Sequence, residues 1–205
     1  MRCDPGECSD GELAALSIAG RQDAFAEIMR RHREPIYRMI KGYVGNADDA
    51  LDLVQDCFVS AYRRLDTYDQ ARPLKAWLAR IAINKCRDWA RRRAVRRYLF
   101  ASGPLADQDT VPDLAPLLDK AAADKQDLER LWQAIAELPR SLKEPLILRT
   151  IDGLSQAEVA SVLRISEKAV ETRVYRARKR LADSQGRGSA DDPDDGRSRT
   201  DRRWS

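Results

Sequence analysis

Histidine occurs once in these 205 residues, cysteine four times, and aromatic residues make up only 6%. So little of the usual catalytic and ligating chemistry narrows the function classes early. There is no nucleophile motif, no phosphate-binding glycine loop and no cluster with metal-ligand spacing, which argues against an enzyme and leaves no cofactor to expect. Cys3 and Cys8 with His32 fit no compact zinc pattern. Cys57 and Cys86 fall beside apolar neighbours at helical positions and read as small buried hydrophobes, so no disulfide framework is expected and the two terminal cysteines are read as exposed thiols. No run approaches the roughly 20 apolar residues that cross a bilayer, and the first residues, MRCDPGECSD, lack the apolar centre of a signal peptide. A cytoplasmic protein without membrane insertion is therefore expected. No segment alternates apolar and polar residues between turns, so no strand is expected.

What the chain does have is charge, 34% of residues with a net of +4, and many helix starts. Ser9 with Glu12, Ser141 with Glu144 and Ser155 with Glu158 are each spaced as capping boxes, and Asn46 precedes Asp48 and Asp49 at the start of a helix running to about Arg64. Pro73 suits a first helical position. The fold class is all-α, in two small helical domains. Residues 10–100 form the first and 125–183 the second, after an N-terminal tail of 1–9. Between them, residues 101–124 carry Pro104, Pro112 and Pro116 and five aspartates against one lysine, the composition of a flexible acidic linker. Residues 184–205 collapse to Gly, Ser, Asp and Arg and read as a disordered tail.

In the second domain the stretch SQAEVASVLRISEKAVETRVYRARKRL gives a short capped helix, a break at Arg164 to Ser166 and a longer helix, which is helix-turn-helix spacing. Val170, Val174, Ala177 and Leu181 stack on one face, leaving Lys168, Thr172, Tyr175 and Lys179 outward beside a basic cluster from Arg176 to Arg180. Cations suit phosphates there, and Glu171 can accept from a cytosine amino group. An amphipathic helix with a solvated basic face is the blander reading; the tight turn and the capped first helix favour DNA. Such turns often place Gly where Arg164 sits, because a left-handed backbone costs other residues about 1 kcal/mol.

The first domain offers a different surface. A helix from Pro73 to about Arg97 would put Leu74, Leu78, Ile81, Ala82 and Trp89 inward and Arg80, Asn84, Arg87 and Arg91 outward, and seven basic residues lie between Lys85 and Arg97 against one acid. The preceding loop, DTYDQARP, brings Tyr68 beside this stripe. An aromatic among cations suits single-stranded DNA, whose bases stack while its phosphates are held; the blander reading is a tyrosine and two tryptophans, Trp77 and Trp89, in an ordinary core. One helix earlier, Leu51, Val54, Phe58, Ala61 and Leu65 read as inward and Asp52, Gln55, Asp56 and Arg63 as outward, a stripe that periodicity alone would leave as solvated surface.

In this order, AGRQDAFAEIMRRH, DDALDLVQDCFVSAYRRL, LKAWLARIAINKCRDWARRR, ELPRSLKEPLILRTIDGLSQAEVASVLRIS and AVETRVYRARKRL resemble the extracytoplasmic-function (ECF) sigma factors of bacterial RNA polymerase, within the sigma-70 family. The resemblance implies that Asp52, Leu53, Gln55, Asp56 and Phe58 lie in the helix that docks the clamp of the polymerase's largest subunit. It implies that the loop holding Tyr68 and Arg72, together with Asn84, captures an extruded base of the minus-ten element. Arg80, Arg87 and Arg91 would then track phosphates. Glu171, Thr172, Arg173 and Tyr175 match positions that read the minus-thirty-five element, with Lys168, Arg176 and Lys179 beside them; Glu171 departs from the basic residue frequent there. The acidic linker would thread the polymerase's nucleic-acid channel. Also implied are promoter-directed initiation in a stress or envelope response, and an anti-sigma factor that covers the domains until released. A stand-alone helix-turn-helix regulator would share the C-terminal pattern, but it normally needs a dimerisation or ligand-sensing element.

Overall fold

The computed structural model describes residues 4–100 and 120–188, and among them every regular element is helical. Helix α1 spans Asp10–Ile18, α2 Gln22–Val44, α3 Ala47–Arg63 and α4 Leu74–Phe100, with a single 3-10 turn at Leu65–Thr67. The second group is α5 (Lys120–Glu137), α6 (Arg140–Thr150), α7 (Gln156–Leu163) and α8 (Glu167–Gly188).

Local chemistry sets most of these starts. Ser9 accepts from the Glu12 amide while Glu12 reaches back, and Ser155 and Glu158 do the same for α7. Asn46 accepts from the amides of Asp48 and Asp49. The third expected capping box does not form. Pro139 supplies the cap position of α6, its carbonyl taking the amides of Leu142 and Lys143, so Ser141 already lies inside the helix and Glu144 is free to point elsewhere. Two boundaries also move. Helix α5 begins at Lys120, inside the stretch read as linker, where three consecutive alanines favour helix; α8 runs to Gly188, past the expected end, because extending an existing helix gains a hydrogen bond for each residue fixed. The remainder of the acidic linker and of the C-terminal tail lies outside the described residues.

The buried side chains form one cluster across both groups, with Leu13, Ile28, Ile36, Met39, Ile40 and Leu78 in the first and Ile147, Leu148, Leu154 and Val159 in the second. Burying each of these contributes about 1.5–3 kcal/mol. On α3 the buried arc is Ala50, Leu53, Val54, Cys57, Phe58 and Ala61. Leu51, expected inward, sits just beyond that arc and is 42% exposed. On α4 the inward face is broader than expected because α2, α3 and α7 all pack on it: Ala79, Ile83 and Cys86 are buried, while Ile81 is only half-buried.

Cys57 and Cys86 are buried free thiols, and burial pushes the Cys57 thiol up to about 12 and the Cys86 thiol further still, so both stay neutral. Cys8 departs from the exposed thiol expected: it is buried and disulfide-bonded. The loop around it is held by Arg31, whose guanidinium donates to the carbonyls of Pro5, Gly6 and Cys8 at 3.0, 2.9 and 2.8 Å. His32 pairs with Asp10 at 2.9 Å rather than with cysteine.

The two helical groups meet closely along α2. Gly42 makes room for Trp132 and Ile151; a Cβ there would come within 3.0 Å of each. Lys143, 9% exposed, donates to the Tyr43 carbonyl at 3.1 Å and to the Ala136 carbonyl, and burial pulls its ammonium below the usual lysine range. Gln133 donates to the Gly45 carbonyl at 2.9 Å, and Lys41 pairs with Glu129 at 2.6 Å. The Asp152 carboxylate is buried with no hydrogen bond, facing Lys75 at 3.6 Å, and burial holds its pKa above the ordinary value.

Candidate nucleic-acid interface

Helix α8 turns a charged and hydrogen-bonding face to solvent. Val170 and Ala177 are buried and Val174 and Leu181 pack against the core, which turns Lys168, Glu171, Tyr175, Arg176 and Lys179 to solvent. Tyr175 is 67% exposed. Thr172 and Arg173 are half-buried, and the Thr172 hydroxyl donates to the Lys168 carbonyl at 2.9 Å. Lys168 pairs with Glu171 at 3.0 Å, so this acid partly neutralises its own neighbour. The turn is as tight as the spacing requires: Arg164 caps α7 at φ 56°, ψ 51°, in the left-handed region. Around α8 the fold adds Arg149, Gln156 and Arg178, which line one shallow cleft with Lys168, Thr172 and Tyr175. Arg149 and Gln156 lie outside the recognition helix, where period alone could not find them. Gln156, donating to the Glu167 carbonyl at 2.9 Å, follows the Ser155 cap, and that position was the available signal.

The first group builds a second surface. Tyr68, Arg72, Arg80 and Asn84 line one cleft together with Trp77, so the loop and the α4 stripe do converge. The Tyr68 ring is only 9% exposed; its hydroxyl donates to the Arg72 carbonyl at 2.7 Å and its ring lies 5.6 Å from that of Trp77. Burial raises the Tyr68 hydroxyl pKa, which keeps it a neutral donor. Arg72 is exposed and pairs with Asp69 at 3.4 Å, and Asn84 is exposed. Arg91 pairs with Asp88 beside it on α4.

Two members of the stripe are engaged from the other half of the chain. Arg80 donates to the Ser161 carbonyl of α7 at 3.0 Å. Arg87 makes a two-pronged contact with the buried Glu144 of α6, at 2.8 and 2.6 Å, and that carboxylate holds the guanidinium pKa above its usual value. Ser161 and Val162 close the far wall of the cleft that holds Tyr68 and Asn84.

The stripe on α3 stands open. Asp52, Gln55 and Asp56 are exposed and face Arg92 and Arg96 of α4 across a groove, while Leu53 and Phe58 are 3% and 2% exposed and anchor the helix beneath them. Trp89 ties this region together: its indole N–H donates to Asp49 at 3.1 Å, and the Arg93 guanidinium lies 5.2 Å over its ring. Beside the groove lies an apolar hollow between Phe25, Met29, Val59 and Tyr62. Among the described residues no three metal-ligating side chains gather, and no helix is long and apolar enough to cross a membrane.

Residues 28–96 match the family model for Sigma-70 region 2, and residues 128–181 that for Sigma-70, region 4. The RNA polymerase sigma factor CnrH of Cupriavidus metallidurans is 37% identical over 179 residues, 86% of this chain and 94% of that protein. Its structure in complex with the cytosolic domain of CnrY superposes with a TM-score of 0.65 over 87% of this chain and 97% of that one. The ECF RNA polymerase sigma factor SigW of Bacillus subtilis is 32% identical over 79% of this chain and 89% of its own. The structure of the sigma factor RpoE with the anti-sigma factor NepR from Bartonella quintana, 24% identical with a TM-score of 0.61 over 82% of this chain and 98% of that one, shares the fold. Together with the paired helical groups and their surfaces, these likenesses place the chain in a family: it belongs to the ECF sigma factors of the sigma-70 family.

Proposed function

We propose that this protein binds core RNA polymerase and directs transcription from a two-part promoter, working in the cytoplasm and performing no reaction of its own. The observation that carries the reading is the presence in one chain of three distinct surfaces: an open acidic stripe on α3, a cationic cleft on α4 and an exposed recognition helix, α8. In this reading Asp52, Gln55 and Asp56, on the shelf made by Leu53 and Phe58, dock the clamp of the largest subunit. Tyr68, Arg72, Arg80, Asn84, Arg87 and Arg91 form the minus-ten surface. The tyrosine shapes the cleft rather than lying flat for a base, since little of its ring is accessible. Lys168, Glu171, Thr172, Arg173, Tyr175, Arg176 and Lys179 read the minus-thirty-five element, with Arg149 and Gln156 flanking them. Two weak readers held on one polymerase raise each other's effective concentration, so specificity needs no strong site in either.

We place the chain under an anti-sigma factor, in the regulatory style of a stress or envelope response. CnrH has been solved with the cytosolic domain of CnrY, and the apolar hollow by Phe25 and Tyr62 adjoins the proposed docking stripe.

The decisive assay adds the purified protein to sigma-free core polymerase with fragmented host DNA and sequences the transcript starts. Starts clustered downstream of a shared two-part motif are expected. Folded protein that neither binds core nor yields starts would return the chain to a stand-alone regulator.

A further inference from the structure

We propose that Tyr98 is a base-stacking residue that extends the minus-ten surface, its ring taking the face of an unpaired DNA base at the end of the α4 stripe remote from Arg80. The inference rests on the assignment of that surface to promoter DNA and adds a residue and a base to it.

The register of α4 places the ring. Arg80, Asn84, Arg87, Arg91, Ala94 and Tyr98 follow one another at helical spacing along one side. At 3.6 residues per turn the interval from Arg80 to Tyr98 is about five whole turns, so Tyr98 returns to the azimuth of Arg80 roughly 27 Å further along the helix. Leu78, Ala79, Ala82, Ile83 and Cys86 are buried on the opposite side. Tyr98 stands about 120° round the helix from Arg92 and about 160° from Arg96, the two arginines that line the groove beside Asp52 and Asp56. It therefore belongs to the DNA side of α4 and not to the docking side.

Exposure decides what the ring can do. From Arg91 to Leu99 every residue is exposed, so the last turns of α4 run free of the helical body. Tyr98 is 83% exposed, and among the described residues no other ring stacks on it. The neighbouring aromatics are committed elsewhere. Tyr68 and Trp77 pack on each other, the Tyr68 hydroxyl is given to the Arg72 carbonyl, and Trp89 holds Asp49 and Arg93. Of the described tyrosine and tryptophan rings on α4 and its preceding loop, only Tyr98 offers an open face.

The charge around it selects the ligand. Asp88 is the only acid between Lys85 and Leu99, and it is paired with Arg91. Beyond it come Arg91, Arg92, Arg93, Arg96 and Arg97 with no acid among them, a setting that favours a polyanion over a protein surface of mixed sign. Cations hold phosphates while an aromatic face takes a base. Along the helix axis Asn84 and Tyr98 are roughly 21 Å apart, about six base steps at 3.4 Å each, so the stacked base is not the one beside Asn84 but lies further along the strand. Because every base has a π-face, this contact holds the opened strand without reading its sequence.

The test compares two labelled single strands of equal charge, one of thymidines and one of abasic sites, each about 12 nucleotides long so as to outreach the interval from Asn84 to Tyr98. Binding to the full chain is followed by fluorescence anisotropy at low salt, and circular dichroism checks that each variant is folded. The parent should prefer the thymidine strand. Tyr98→Ala should bind that strand at least about fivefold more weakly, the lower end of what one stacked base contributes, and should bind the abasic strand as the parent does. Tyr98→Trp should bind the thymidine strand at least as tightly as the parent. A parent that does not bind the thymidine strand or binds both strands equally overturns the inference, as does a Tyr98→Ala loss that is absent or equal on the two strands. Absence of transcript starts from the parent protein with core polymerase would instead overturn the functional reading beneath it, whatever the two strands show.

Discussion

The two halves carry similar chemistry, a helix with an apolar face and a cationic one, and dispose of it in opposite ways. On α4 the cations Arg80 and Arg87 are held by partners from the other half, whereas on α8 Arg176 and Lys179 stand in solvent and Lys168 meets only its neighbour Glu171. A helix's own sequence sets which residues face outward; what meets them there is decided by elements far along the chain. Outward on a helix is therefore not the same as exposed.

The strongest way to break this contrast is to ask whether the halves are energetically separate at all. Leu148 is fully buried on α6 within the cluster shared by both groups. Leu148→Ala should cost about 2–5 kcal/mol, from lost transfer energy and the cavity left behind. If the packed arrangement unfolds as one unit, native-state hydrogen exchange will accelerate in α2 and α3 as well as in α6 to α8. Acceleration confined to α6 to α8 would show that the contact through Gly42 and Lys143 adds little to the first half's stability.

A second test weighs two serines that look alike in sequence. Ser155 caps α7 through the full reciprocal box, and Ser155→Ala should cost about 1 kcal/mol. Ser141 has the same spacing to a glutamate but caps nothing, so Ser141→Ala should change stability by less than about 0.5 kcal/mol. Urea midpoints of the two variants distinguish these outcomes, and equal losses would refute the assignment of Pro139 as the α6 cap.

That pair also shows what was legible in the sequence. Elements fixed by neighbours in the chain were read correctly: the caps at Ser9, Asn46 and Ser155, the left-handed Arg164, and the two helices around it. What the sequence hid depends on tertiary partners. Glu144 looked like a capping residue because its spacing to Ser141 is local, while its partner Arg87 is 57 residues away. Leu51 looked buried because an i, i+3, i+7 pattern continues through it, yet the neighbouring helices cover an arc that stops short. The sequence leaves Tyr68 between a base-stacking ring and a member of an ordinary core, because nothing nearby in the chain decides it; Trp77 packs on it in space and the Arg72 carbonyl takes its hydroxyl, which fits the second. Arg149 and Gln156 joined the candidate site for the same reason, since only the fold brings them to α8.

The smallest expected effect sharpens the contrast most directly, because it compares one open cation with one engaged cation in the same molecule. Duplex DNA binding by the free protein should weaken with salt, and each phosphate contact contributes about 0.9 to the slope of log K against log salt. Arg176→Ala, at an exposed position on α8, should lower that slope by about one contact. Arg80→Ala should leave it unchanged, because its guanidinium is already given to the Ser161 carbonyl. In a Gly42→Leu background, whose added side chain runs into Trp132 and Ile151 at the contact between the halves, single-stranded DNA should report the reverse for Arg80: its removal should now reduce the slope. A slope that falls equally for Arg80→Ala and Arg176→Ala in the parent protein would mean that the α4 stripe is already open to DNA, and the asymmetry between the two halves would not survive in solution.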